Sequence, residues 1–360
     1  MTTIAITGAT GHIGGAVARA LAEGAGADSR PAAVRQIVRD ASRAPDLVGS
    51  TVAVAEYADA RAARTALTGV DVLFLVSAHE SADRVHEHRT MVEAARDAGV
   101  RHIVYTSFVG AGESAGFTLA RDHGATEQAI RAAGVSFTFL RDNFYLDLLP
   151  FFADVSGVIR GPAGDGRSAA VARADVADAA VAVLRNPAAH DGAIYDLTGR
   201  EALTLAELAV RASAATGRAV TFHDETVEEA YASRRAGYPD APQWQLDAWV
   251  STYTAICDGQ LADVSSDLAG ERQELGQALR QLTIALDRVA TFVNHNAGRL
   301  HQDVHGLTGV ARLLVKNRGS LDETLAIAPV ALSNIVHAYR EDLGAIGTRS
   351  NLNDLIGGTP

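Results

Sequence analysis

Three glycines stand where a short apolar run meets the start of a helical pattern. Gly8, Gly11 and Gly14 lie in the stretch TGATGHIGG, residues 7–15. Glycines permit a tight turn and a close backbone approach, and the first turn of a helix offers free N–H groups and a partial positive charge. The spacing therefore predicts a turn that holds the pyrophosphate of a dinucleotide. We expect further contacts from its neighbours in the same turn, Thr10, His12 and Ile13.

The end of the second predicted strand distinguishes the two nicotinamide dinucleotides. Arg39 and Asp40 follow Val38, and Arg43 comes three residues later. An arginine here accommodates the 2′-phosphate of NADP, whereas an acidic residue accepts the ribose hydroxyls of NAD. Arg39 is placed for the phosphate with Arg43 as a second candidate, while Asp40 either binds the ribose or pairs with Arg43. We expect NADP(H) in preference to NAD(H).

Strand-like runs alternate with Ala-rich helical patterns over residues 1–155, which we assign to an NAD(P)-binding domain. The predicted strands are Thr3–Ile6, Ala33–Val38, Thr51–Ala55, Val72–Val76, His102–Thr106 and Ser136–Leu140, and the predicted helices are Gly15–Glu23, Arg61–Leu67, His86–Ala98 and Gly124–Ala133. Such alternation predicts an α/β fold, a doubly wound parallel sheet of Rossmann type. Residues 156–263, with predicted helices at Asp175–Leu184 and Thr204–Thr216, would form a smaller substrate-side lobe.

Polar and small residues follow two neighbouring predicted strands. Ser77 and Ala78 end the fourth strand and Ser107 ends the fifth. Because ligands of open α/β sheets bind outside the carboxyl ends of the strands, we expect these three residues near the nicotinamide half of the cofactor. Asn143 and Tyr145, just after the sixth strand, and Phe108 are candidates for the substrate side. Simple core packing is the alternative for Tyr145.

Several of these motifs together resemble one known family. They are TGATGHIGG, Val38-Arg39-Asp40, Ser107-Phe-Val-Gly110, Arg141-Asp-Asn143 and Trp249-Val-Ser-Thr-Tyr253. Over about residues 1–263 the chain resembles the NmrA-like branch of the atypical short-chain dehydrogenases, which includes type-2 NAD(P)H:quinone oxidoreductases. The resemblance implies a Rossmann domain, bound NAD(P), and either quinone reduction or redox sensing without turnover. It also implies that Glu56 and Tyr57, after the third strand, contact adenine, although the family more often has Asp than Glu there.

The distribution of lysine limits the chemistry. The only lysine is Lys316, so the Tyr-x-x-x-Lys pair of ordinary short-chain dehydrogenases cannot exist in the first domain. The matching stretch is Leu119-Ala-Arg-Asp-His123, which puts His123 at the lysine position. His123 could orient the nicotinamide ribose or supply a proton, since its ordinary pKa is near 6.5; the alternative is a histidine on the outer face of a helix start. We therefore expect an NADPH-dependent oxidoreductase acting on a quinone or similar small acceptor, or alternatively a cofactor-binding regulator without turnover.

Residues 264–360 have a different character. Apolar residues recur every seven positions from Leu279 to Leu321, a period typical of helices that pack through a seam. Stretches such as Ile327-Ala-Pro-Val-Ala-Leu332 resemble the C-terminal region of Mce-family lipid-uptake proteins. We interpret this tail as an Mce-like fusion, or alternatively as a helical extension through which the chain forms a homo-oligomer.

Bulk composition excludes several classes of protein. A net charge of −11 argues against a nucleic-acid partner. The chain has no uncharged apolar run of membrane-spanning length and no signal-peptide pattern, so we expect a cytoplasmic protein without a membrane span. The single cysteine, Cys257, excludes internal disulfides and multi-cysteine metal sites. His79, His86 and His88 lack an acidic pattern that would complete a zinc site, so no metal is expected.

Overall fold

The computed structural model describes residues 2–24 and 32–268, together with a short antiparallel ladder of Tyr339–Arg340 with Ala345–Ile346. The chain divides into two compact units, Met1–Leu279 and Arg280–Pro360. The heptad pattern and the Mce-like segments therefore fall almost wholly outside the described residues. Association through the tail stays a prediction.

The described chain alternates strands and helices as far as its sixth strand, except that the second strand leads to the third through a short 3-10 turn. The first elements are β1 (Thr3–Thr7), α1 (His12–Glu23), β2 (Ala33–Val38), β3 (Thr51–Val54), α2 (Ala60–Leu67), β4 (Val72–Leu75), α3 (Arg84–Ala98), β5 (His102–Phe108), α4 (Thr118–Ala133) and β6 (Ser136–Asp142). The remaining elements are β7 (Val158–Gly161), β8 (Arg167–Ser168), α5 (Arg173–Arg185), β9 (Ile194–Leu197), β10 (Leu203–Thr204), α6 (Leu205–Thr216), β11 (Thr221–Asp224), α7 (Val227–Gly237) and α8 (Gln243–Cys257). Short 3-10 turns lie at Ala41–Arg43, Leu149–Phe152 and Pro187–His190.

Seven parallel strands form the central sheet in the order β3-β2-β1-β4-β5-β6-β9. The order reverses between β1 and β4, so the carboxyl ends of these two strands border a topological switch point. This is the predicted Rossmann-like architecture, with one addition. β9 and α5 come from the segment 156–263 assigned to the lobe, yet β9 pairs with β6 and α5 packs against α1.

Apolar residues cover both faces of the sheet. On one face, Ile6, Phe74 and Val104 pack against Val17 of α1 and Val181 of α5. On the other, Leu73, Ile103 and Phe139 pack against residues of α2, α3 and α4, namely Leu67, Met91 and Ile130. A third cluster, which includes Phe117, Leu205 and Ile256, forms the core of the lobe.

Helix ends follow the local sequence signals. Gly99 and Gly134 adopt left-handed conformations just after α3 and α4, as their positions before the next strand predict. Thr204 caps α6 through a complete capping box with Glu207. Among the described helices none is long and apolar enough to cross a lipid bilayer.

A buried carboxylate joins α4 to the two neighbouring strands. Glu127, only 1% exposed, accepts hydrogen bonds from Arg141 Nε and Nη2, each at 2.8 Å, and from Ser107 Oγ at 2.6 Å. Arg131, one turn along α4, adds a second cation at 3.2 Å. Two arginines and one hydroxyl thus compensate the cost of burying this charge.

We predict that Glu127→Gln lowers the free energy of unfolding by about 2–4 kcal/mol, because it leaves the half-buried Arg141 without its anion. Urea denaturation followed by circular dichroism measures the change. The matched control is Asp97→Asn, which removes the partner of the exposed Arg96 and should cost about 0.5 kcal/mol or less. Equal losses in the two variants would contradict the structural role of Glu127.

Candidate active site

The turn after β1 makes a close contact with the start of α1. A Cβ built on Gly14 would overlap the Gly8 carbonyl oxygen and lie 2.9 Å from the Thr7 carbonyl oxygen, so only glycine fits. Gly8 itself has a φ of +63°, in the left-handed region that favours glycine. The residue before the helix, Gly11, provides no side-chain cap, and the first turn of α1 carries no acidic residue. The N–H groups at this helix end are therefore free for an anion.

The other residues predicted to contact the cofactor from this turn differ in solvent exposure. Thr10, Gly11 and His12 are exposed at the carboxyl edge of the sheet, whereas Ile13 is buried in the core beneath α1. The exposed residues surround the free helix end. Ile13 contributes to this site by packing.

Two charged residues follow β2, and they differ in their hydrogen bonding. Asp40 accepts hydrogen bonds from the backbone N–H and the hydroxyl of Ser42, at 2.9 and 2.7 Å. These bonds lower the pKa of Asp40 and hold its carboxylate in its own turn. Arg39 is exposed, and it is close enough to Tyr57 for its charge to act on that phenol.

Glu56 and Tyr57, in the segment that follows β3, differ in exposure. Glu56 is exposed. Tyr57 is half-buried, and its hydroxyl donates a hydrogen bond to the Val76 carbonyl at the end of β4. Tyr57 therefore spans the carboxyl edge from β3 to β4, across the switch point.

The loop after β4 is held by hydrogen bonds to its backbone. The Ser77 N–H donates to Thr106 Oγ1 at 2.8 Å, and the Ala78 N–H donates to His88 Nε2 at 2.8 Å. Arg84 Nε donates to the Ala78 carbonyl at 3.1 Å. Both polar groups of the Ala78 backbone are thus fixed from α3, which limits how this loop can move.

His123 lies inside the molecule, so the expectation of an outer helix face does not describe its position. It is 6% exposed, and Arg84 Nη2 donates to its Nε2 at 3.0 Å. Because arginine has only donors, the His123 proton is on Nδ1, which donates to the Tyr105 hydroxyl at 2.8 Å. Burial, and secondarily the Arg84 charge, hold the pKa of His123 well below its ordinary value. His123 is therefore neutral at physiological pH.

Ser107 and Phe108 end β5 in different surroundings. The Ser107 hydroxyl is buried and committed to Glu127. The Phe108 ring packs against Phe117 and Phe144 at centroid distances of 5.0 and 5.2 Å. Phe108 thus belongs to an aromatic cluster where the sheet meets the lobe.

The end of β6 places a carboxyl group in the interior. Asp142 is 1% exposed, and its Oδ2 accepts a hydrogen bond from the Tyr145 hydroxyl at 2.8 Å, while Oδ1 has no hydrogen-bond partner among the described residues. Burial raises the pKa of Asp142 to about 8, so the group is largely protonated at neutral pH. Tyr145 is half-buried against the core on the α1 side.

Asn143 connects β6 to the lobe. Its amide nitrogen donates to the Leu261 carbonyl at 3.0 Å, and its oxygen accepts from the Phe144 N–H and from Ser168 Oγ at 2.7 and 3.0 Å. The side chain is buried and its hydrogen-bonding capacity is largely used within the protein. Its position fixes the start of the lobe relative to the sheet edge.

Sequence reasoning missed two residues of this region, Arg84 and Asp142. Arg84 stands at the start of a helix, where an arginine is normally solvated, and nothing in the local pattern distinguishes it. Asp142 carried a usable signal, because an acidic residue that closely follows a predicted strand of a parallel sheet lies where both faces of the sheet are covered. That position alone indicates an altered protonation state.

A separate cleft of about 510 Å³ lies within the lobe. Two arginines, Arg160 and Arg234, contribute to its lining. Aromatic side chains form much of the rest, namely Phe151, Phe152, Tyr238, Trp249 and Tyr253. None of the residues described above at the carboxyl edge of the sheet lines it.

Comparison with known proteins identifies the family. The model of the NmrA-like family matches residues 1–269. The chain belongs to the NmrA-like family.

Individual relatives agree with this assignment. Quinone oxidoreductase 2 of Escherichia coli is 37% identical over 243 residues, which cover 66% of this chain and 83% of that protein. An NAD(P)H azoreductase of Xenophilus azovorans is 32% identical over 63% of this chain and 78% of its own length. The crystal structure of the NADPH-dependent quinone oxidoreductase of E. coli in complex with NADPH superposes with a TM-score of 0.65 and 34% identity, over 74% of this chain and 93% of that one.

No group of three or more metal-ligating side chains occurs in the part of this NmrA-like chain that the structure describes. The sheet edge instead combines a free helix end, an exposed arginine, a neutral histidine and a protonated carboxyl.

We predict that Asp142→Asn removes a contribution to stability that decreases as pH rises. A raised folded-state pKa means that the native state holds a proton that the unfolded chain releases, so the contribution of Asp142 is complete below about pH 4 and is lost progressively up to about pH 8. Relative to the wild type, the Asn variant should therefore gain more than about 1 kcal/mol between pH 5 and pH 8.

Urea midpoints at the two pH values measure this difference. The exposed Asp46→Asn serves as the control and should shift the wild-type profile little. A parallel profile for Asp142→Asn would show that this carboxyl is not protonated in the folded protein.

Proposed function

We propose that this protein is an NADPH-dependent oxidoreductase that transfers a hydride to a quinone-like acceptor. The observation that carries the proposal is the free end of α1 behind the Gly8–Gly14 contact, at the switch point of the sheet. The residues present fit a dinucleotide, because the closely packed glycines leave unobstructed backbone donors for a pyrophosphate. The similarity to quinone oxidoreductase 2 and to the azoreductase supports the reaction class.

Arg39 supports NADP(H) as the preferred cofactor. Asp40, which would otherwise accept the ribose hydroxyls of NAD, is held by Ser42 in its own turn. No hydrogen bond or ion pair to another described residue occupies the Arg39 guanidinium, so it remains available for a 2′-phosphate. Glu56 and Tyr57, at the end of the neighbouring β3, are proposed for the adenine side.

The order of the strands supports one direction for the bound cofactor. If the adenosine half lies over β2 and β3 and the pyrophosphate over α1, the nicotinamide half extends over β4 and β5. Ser77 and Ala78 would face it through a backbone that Thr106, His88 and Arg84 hold rigid. Bound NADPH supplies the hydride, and the protein contributes alignment and exclusion of water.

His123 is proposed to act by orientation and not by donating a proton. Its low pKa leaves it neutral, and both ring nitrogens are already used by Arg84 and Tyr105. Ser107 has a comparable role, because its hydroxyl is bound to Glu127. Quinone reduction tolerates this arrangement, since water can complete protonation of the reduced acceptor.

The acceptor is proposed to bind where β5 and β6 meet the lobe. Phe108 and its aromatic neighbours provide an apolar wall suited to a planar ring. Asn143 fixes the wall by its bonds to the lobe, and Tyr145 lies on the α1 side of the same strand end. A regulator that binds cofactor without turnover is the alternative, and its prediction is tight NADPH binding without oxidation by any quinone.

We predict that the purified protein oxidises NADPH with members of a panel of benzoquinones and naphthoquinones. Absorbance at 340 nm measures the rate, and a sample without quinone is the control. If NADPH binds but no quinone increases its oxidation, the regulator replaces the reductase.

We predict that Arg39→Ala raises the KM for NADPH at least about tenfold and leaves the KM for NADH within about twofold, because only NADPH carries the 2′-phosphate. The exposed Arg64→Ala on α2 removes one positive charge elsewhere on the surface and is the matched control. Equal losses for both cofactors in Arg39→Ala would contradict phosphate recognition by this residue.

A further inference from the structure

We propose that Arg84 is a specificity-determining residue that makes the crevice bind the reduced dinucleotide more tightly than the oxidised one. The inference rests on the proposed NADP(H) site. It concerns the charge of the nicotinamide ring, which is positive in the oxidised cofactor and neutral in the reduced one.

Arg84 is a buried cation at the middle of the carboxyl edge of the sheet. Its side chain is 5% exposed, although it stands at the first residue of α3. Nε is bound to the Ala78 carbonyl, Nη2 is bound to His123, and Nη1 makes no hydrogen bond to any described residue. The guanidinium therefore lies directly behind the loop that we assign to the nicotinamide half.

The charge of Arg84 acts on three tyrosines of this half of the sheet and its edge. Burial raises the pKa of Tyr57, Tyr105 and Tyr145, and the positive charge of Arg84 opposes that rise in all three. These residues follow β3, lie in β5 and follow β6. A ligand ring placed over β4 and β5 would lie among them and within the same field.

Nearby negative charge only partly offsets Arg84. Its nearest acid is Asp122, with 3.6 Å between Nη1 and Oδ2, and Asp122 is 26% exposed. The other acid of α4, Glu127, is already shared by Arg131 and Arg141. Asp142, on the opposite face of the sheet, is largely neutral at pH 7 because burial raises its pKa to about 8.

The two histidines in contact with this region do not add to the positive charge. Burial lowers the pKa of His88 to about 3 and that of His123 well below its ordinary value, and Arg84 lowers both further. At Tyr57 the positive charge of Arg84 acts more strongly than the opposing negative charge of Glu87, and at Tyr105 it acts more strongly than that of Glu127. In a site of low dielectric the positive field of Arg84 disfavours a cationic ring and leaves a neutral ring unaffected.

The test compares dissociation constants for NADPH and NADP⁺ at pH 7 in the wild type and three variants, without any acceptor. NADPH fluorescence gives one constant and competition by NADP⁺ gives the other. We expect the wild type to bind NADPH at least about fivefold more tightly than NADP⁺. Arg84→Met should lower this ratio about fivefold, whereas Arg84→Lys, which keeps the charge, should preserve the ratio even if both constants weaken.

A fourth protein, Asp122→Asn, keeps the test decisive if Arg84→Met does not fold. Removing the acid nearest to Arg84 should raise the NADPH preference by about two- to threefold, the opposite direction. A purely structural role of Arg84 would weaken the two dinucleotides equally and leave the ratio unchanged.

Equal affinities in the wild type, an unchanged ratio in Asp122→Asn, or no dinucleotide binding at all would each overturn the inference. Failure of the proposed reductase is a separate result, because an absence of quinone turnover does not alter the ratio of the two constants.

Discussion

The close approach of α1 to the turn after β1 is the constraint on which the site depends. Gly14 packs against the carbonyl groups of Gly8 and Thr7 at a distance that excludes any side chain. This contact directs the start of α1 at the switch point while Val17 and Leu21 of the same helix pack into the core. The uncapped helix end and the stability of one face of the sheet therefore have a common origin, and a change at Gly14 cannot affect one without the other.

The rest of the site depends on how the protein manages buried charge. Glu127 is fully compensated by two arginines and Ser107, and it holds α4, β5 and β6 in register. Arg84 is compensated only in part, and its free energy cost is offset by the bonds to Ala78 and His123. Asp142 avoids the cost by remaining protonated. Complete pairing fits a structural role, whereas incomplete pairing leaves a field that a ligand can experience.

The fold was largely predictable because its signals are local and repeated. β2 was predicted with the observed bounds, and the first residue of the other five predicted strands was also right. The ends differ because β1, β5 and β6 continue one or two residues further than predicted and β3 and β4 stop one residue earlier. At the ends of β5 and β6, Ser107 and Asp142 are buried with hydrogen bonds to side chains of other segments or turns, Glu127 and Tyr145. Helices α3 and α4 begin two and six residues earlier than predicted, since their first turns contact the sheet edge through Arg84 and Ala120.

The site was predictable only where glycines or strand ends marked it. The spacing of Gly8, Gly11 and Gly14 by itself predicts a tight turn with a close backbone contact. Arg39 is the first residue after β2 and was located from the predicted end of that strand. The surroundings of His123 depend on two residues distant in the sequence, Arg84 and Tyr105, and no spacing rule relates them. Tertiary contacts of this kind determine protonation, so the sequence could not predict the neutral, hydrogen-bonded state of His123.

The absence of lysine before position 316 has a physical consequence for this environment. A buried lysine loses its proton readily, so a site that uses one changes its charge with pH. Arginine keeps its proton under all ordinary conditions, and Arg84 therefore provides a constant field from the α3–α4 face. On the opposite face, the pKa of Asp142 is about 8, and ionisation there adds a negative charge as pH rises. Ionisation at the end of β6 would then favour a cationic ring as pH rises, while the contribution from Arg84 stays fixed.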